Sequence, residues 1–127
     1  MTTTDKNEII ARFMGLSYCE KYQYEGWYKN HEHNHRICDY DGLKYHSDWN
    51  WLCLVIEKIE LMSHTGFMGT VQMFGLGRTR INCYQSEILR KEIDIIGERY
   101  GINPTHEAVF QFIIWYNQNK ENESQMP

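Results

Sequence analysis

The stretch that most constrains the fold is 103–117, NPTHEAVFQFIIWYN. Asn103 can accept from the free amides of a helix start, Pro104 fits a first-turn position that needs no amide, and Glu107 suits the positive end of the dipole. Behind that start, Val109, Phe112, Ile113 and Tyr116 recur at helical spacing, and Phe110, Ile114 and Trp115 extend the apolar face past half the circumference. A helix this apolar must be wrapped by neighbouring elements or buried at a contact between copies, so the sequence predicts either a central helix or a homo-oligomer.

The rest of the chain supplies enough material to wrap it. Of 127 residues, 42% are hydrophobic and 14% aromatic, which supports one folded domain over 1–127 with flexible tails at 1–4 and 120–127. A formal net charge of −4 gives no electrostatic reason to expect duplex DNA as a partner. The polar start MTTTDKNE lacks a secretory pattern, and the longest apolar run, 51–56, is too short to cross a bilayer. A cytoplasmic setting away from membranes follows, with Cys19, Cys38, Cys53 and Cys83 as free thiols that form no CxxC pair.

Along the chain, 6–14 reads as a short helix capped by Asp5 or Thr4 and closed by Gly15. The segment 19–45 is irregular, with Trp27 and Tyr28 as a strand and Asp41-Gly42 as a turn. Ser47 then caps a helix whose core face is Trp49, Leu52, Val55, Ile56 and Ile59. Two strand-like runs, 71–74 and 79–84, flank Gly75-Leu76-Gly77 as a hairpin. For 86–100 the pattern fits a helix capped by Ser86 slightly better than a strand, although Ile93 and Ile95 alternate.

Three segments, NEIIARFMGL, GLKYHSDWNWLCLVIEKIE and EAVFQFIIWYN, together resemble small proteins of phages and prophages, especially those of Bacteroidetes, of the phage ABA-sandwich type. The resemblance implies an α+β fold, an antiparallel sheet covered by helices in an α/β sandwich. It also implies a phage accessory role in the host cytosol, where inhibitors and ligand-sequestering proteins act. Packing signatures carry the resemblance, so it transfers no functional residue.

Four constellations are candidates for chemistry. His31, His33 and His35 alternate in HEHNHRIC, so an extended backbone projects them to one face near Cys38, a donor set suited to zinc. The outer imidazoles of such a strand lie about 7 Å apart, which hinders closure around one ion and favours a solvated polar loop. His46, flanked by Asp39, Asp41 and Asp48, offers a His–Asp pair, but turn and cap roles account for these aspartates and no catalytic residue is assigned. Arg78 and Arg80 could grip a small anionic, nucleotide-like ligand beside Phe74 and Tyr84, or could guard a strand edge against pairing. Trp27, Tyr28, Tyr40 and Tyr45 could anchor a protein interface or roof the sheet. Three functions follow: a non-enzymatic binder of a host protein, a trap for an anionic signal, and a zinc-dependent protein.

Overall fold

The computed structural model describes residues 1–20, 25–29, 36–62, 66–74, 77–97 and 101–124. The fold is α+β. Helix α1 (Thr3–Phe13) leads into a three-stranded antiparallel sheet of β1 (Leu16–Cys19), β2 (Gly26–Lys29) and β3 (Arg36–Cys38). A single 3-10 turn (Tyr40–Gly42) and helix α2 (Trp49–Glu60) follow. A second antiparallel sheet then forms from β4 (Met68–Phe74), β5 (Arg78–Tyr84) and β6 (Arg90–Ile96), and α3 (Asn103–Ser124) closes the chain.

The terminal helix occupies the centre. Between 103 and 117 only Asn103 is exposed, because α3 packs on β5 and β6 along one side and meets α1 and α2 on others. The wrapping comes from this chain's own elements. The first intrahelical acceptor is the Ile102 carbonyl, bonded by the His106 amide, and the Pro104 ring is fully buried. The helix runs on to Ser124, across most of the segment expected as a tail.

Alternation along the second sheet sets its two faces. On β5, Thr79, Ile81 and Cys83 turn inward, paired with Ile95, Ile93 and Lys91 of β6. Gly69 of β4 shares this inner face, and it is a close approach. A Cβ there would lie 2.4 Å from Ile59 Cγ2 and 2.9 Å from Phe112 Cε2, so both helices seat against bare backbone. At the other end of the hairpin, Gly77 adopts φ 77°, a left-handed turn that glycine enters freely.

Several boundaries differ from the sequence reading for identifiable reasons. The segment expected as a helix over 86–100 carries instead, within its described residues 86–97, a strand at Arg90–Ile96 that pairs with β5 along its whole length. The alternation of Ile93 and Ile95 matched the available sheet edge, and tertiary pairing overrode the helical spacing. The irregular segment 19–45 supplies most of the first, β1–β2–β3 sheet rather than loops alone. Thr2 caps α1 in a reciprocal box with Asp5, and Asp48, not Ser47, caps α2 by accepting from the Asn50 amide at 2.8 Å. Trp49 leaves the core face of α2 and is 40% exposed. Gly75 and Leu76 lie outside the described residues.

Candidate functional site

The outer face of the second sheet carries the arginines singled out in the sequence. Odd positions of β5 bury, so Arg78, Arg80, Asn82 and Tyr84 all face away from α3. Arg78 grips Asp94 with two nitrogens, its Nε donating to Oδ1 at 2.8 Å. Arg80 places Nε 2.8 Å from Glu92 Oε1 and Nη2 3.5 Å from Asp94 Oδ2. Arg80 and Asp94 are direct cross-strand partners, whereas the Arg78–Asp94 and Arg80–Glu92 pairs are diagonal. The hydrogen bond from Arg78 holds the Asp94 carboxyl below its ordinary range, and the same bond pushes the Arg78 guanidinium up. An incoming anion must therefore displace a carboxylate already seated on these arginines.

Phe74 joins the pair and Tyr84 does not. The Phe74 ring centroid lies 5.7 Å from the Arg78 guanidinium carbon and 5.8 Å from that of Arg80, within cation–π range. Tyr84 sits at the opposite end of β5, across from Met68 and Arg90, and its hydroxyl donates to Glu87 at 3.3 Å. In place of Tyr84 the fold brings Trp49. Its indole, with Met73, Phe74 and Arg78, lines a cavity of about 240 Å³ over the sheet end, floored by Thr79 and Thr105. Those two hydroxyls bond each other at 2.7 Å below the surface. Position 49 read as core because its helical spacing matched Leu52 and Ile56, but it is the first residue of α2 and stands at the sheet end, where its indole is 40% exposed.

The expected aromatic interface is largely interior. Trp27, Tyr28 and Tyr45 are buried, and of the four residues only Tyr40 presents its ring to solvent. Tyr18 explains part of this, because its ring contacts Trp27 at 5.4 Å and Tyr40 at 5.2 Å between centroids. The Trp27 indole also lies under the Arg12 guanidinium. These rings seal the first sheet against α1, the roofing role rather than the anchoring one.

His31, His33 and His35 lie outside the described residues. Cys38, their proposed companion, is half-buried on β3, and its thiol is pushed up by burial and then by Asp39, which disfavours the thiolate a metal needs. Among the described residues no three His, Cys, Asp or Glu side chains converge on a metal-sized site.

His46 has a different partner from the aspartates beside it. Asn7 of α1 reaches its Nδ1 at 2.8 Å, while the Asn7 Oδ1 accepts from His106 Nε2 at 2.8 Å. The Leu43 carbonyl, 3.4 Å from the Asn7 Nδ2, fixes which way the amide points. Asn7 therefore donates to His46 and receives from His106, which sets both tautomers. His106 is 6% exposed, and burial, followed by the charges of His46 and Lys6, lowers its pKa to about 4. A small cavity of about 200 Å³, lined by Thr3, Asn7, Asp41 and His46 among others, opens beside this bridge. The bridge joins α1, the 43–46 segment and α3, so its first role is to hold three elements together.

Among the described residues no helix is long and apolar enough to cross a membrane. No protein-family model, no curated protein and no solved structure matches this chain.

Proposed function

We propose that this chain is a non-enzymatic binding protein that contacts a host protein through the end of the β4–β5–β6 sheet, around Trp49, Met73, Phe74 and Arg78, in a phage or prophage setting. One observation carries the reading: Trp49, Met73 and Phe74 are exposed together beside Arg78, around the cavity at the sheet end. Tryptophan, aromatic and arginine side chains grouped in this way are the residue types that dominate binding energy at protein interfaces. The lattice of Arg78, Arg80, Glu92 and Asp94 surrounds that patch with charge balanced internally, a polar rim rather than a free anion site. The resemblance of three segments to small phage and prophage proteins supports the setting.

The test is capture from host lysate with the wild-type chain and a Trp49→Ser, Phe74→Ser double variant. Both side chains are substantially exposed, so the variant should melt within a few degrees of wild type. A stoichiometric partner held by wild type and lost from the variant is the expected outcome. Equal capture by both proteins removes this face from the function.

A further inference from the structure

On the far side of α2 from the sheet lies a second concavity, of about 650 Å³, in the size range of small-molecule sites. It forms where the outward side of α2 faces the first sheet. Leu16 of β1, Ile37 of β3, Trp51 and Leu54 of α2, and Leu61 just past its end make its apolar wall. Leu54 and Leu61 are each about 60% exposed, an unusual concentration of branched aliphatic surface on one helix.

The cationic rim tells what kind of molecule fits. Lys58 is part-buried at one end, where its Nζ donates to the Phe13 carbonyl and sits 4.5 Å from the Phe13 ring centroid. Among the described residues no carboxylate lies within ion-pair distance of it. Burial first, and then the charge of Lys120, pull its pKa below the ordinary lysine value. Lys29 stands on the opposite wall, and Glu57 is the carboxylate among the lining residues. Two lysines against one glutamate leave the rim positive over an apolar trough.

We propose that this trough binds a small amphipathic anion, an alkyl chain ending in a carboxylate, with the chain along Leu16, Ile37, Leu54 and Leu61 and the head group at Lys58. A carboxylate placed there gives Lys58 a charged acceptor that no described carboxylate provides, and the chain removes exposed leucine surface from water. This site is separate from the sheet-end patch, and each can fail without the other.

The experiment is calorimetric titration of the whole chain with dodecanoate below its micellar range, beside dodecyltrimethylammonium, which has the same tail and the opposite head. Dodecanoate should saturate at one per chain and raise the melting temperature, with the ammonium compound weaker by about tenfold or more, the factor expected for one charge-assisted contact. Leu54→Asp, at an exposed position, should retain the fold and lose dodecanoate binding. Lys58→Met should weaken dodecanoate while narrowing its lead over the cation. Absence of saturable dodecanoate binding, equal affinity for the two head groups, or wild-type affinity in a folded Leu54→Asp variant each overturns the proposal.

Discussion

At the scale of single residues, Asn7 does the most with the least. One amide on the first helix satisfies His106, His46 and the Leu43 carbonyl, and it is itself buried. Asn7→Ala removes the acceptor for a buried imidazole N–H and should cost about 2–3 kcal/mol, read as a lower urea midpoint with an unchanged slope. A loss below about half a kcal/mol would show that water replaces the amide without penalty. Gly69 is the second such position. Gly69→Ala places a methyl inside the contact distances of Ile59 and Phe112, so α2 and α3 must both move. Overpacking of that kind should destabilise by about 1–3 kcal/mol in the same assay, against the gain that alanine normally brings to a glycine site.

At the scale of elements, the terminal helix and the last strand behave oppositely. For α3 the apolar residues run so far round the helix that only a central position could satisfy them, and every residue from Pro104 to Asn117 is at least partly covered. Its amides should be among the slowest to exchange. Hydrogen–deuterium exchange should leave Val109 to Tyr116 protected close to the global unfolding limit, and fast deuteration there would contradict the packing described above. β6 has no such autonomy. The stretch RKEIDII alternates over too few residues to identify itself, and its strand state depends on β5 offering seven consecutive partners. The same dependence explains the outer-face lattice, since Arg78 and Arg80 meet carboxylates supplied by a strand that their own hairpin does not contain.

At the scale of the whole molecule, one buried histidine couples stability to pH. His106 has its pKa lowered to about 4 in the fold against an ordinary value near 6.5. In the native state it stays neutral across that interval, whereas the unfolded chain takes up a proton. The contribution is therefore complete above about pH 6.5 and declines as pH falls towards 4, by an amount on the order of 2–3 kcal/mol. Urea midpoints measured from pH 7 to pH 4.5 should fall accordingly. The slope should flatten in His106→Gln, which keeps a donor near the Nε2 position without the titration. An undiminished slope in that variant would assign the effect to other groups.

How much of this molecule could be read in advance follows from where each signal resides. The terminal helix, the Asp48-to-Glu60 region and the hairpin strands were legible because their apolar periodicity lies within one element. The pairing of Arg78 with Phe74 was legible too, because both flank one tight turn and register makes them opposite. Tyr84 was misplaced into that group because a strand separates in space what sequence keeps near. Trp27, Tyr28 and Tyr45 could not be sorted into interface or core, since an aromatic ring suits either and only tertiary packing, Trp27 under Arg12 of α1 and Tyr45 against Trp51 of α2, decides. The Asn7 bridge joins residues 99 apart, and the Lys58 trough draws its walls from α2 and a separate sheet. Periodicity is a property of neighbours along the chain, so the sequence by itself determined the helices, the hairpin and the need for a central rod. Contacts between distant segments depend on relative placement, so the β1–β2–β3 sheet, the outward turn of Trp49 and both candidate binding surfaces were decided by tertiary structure alone.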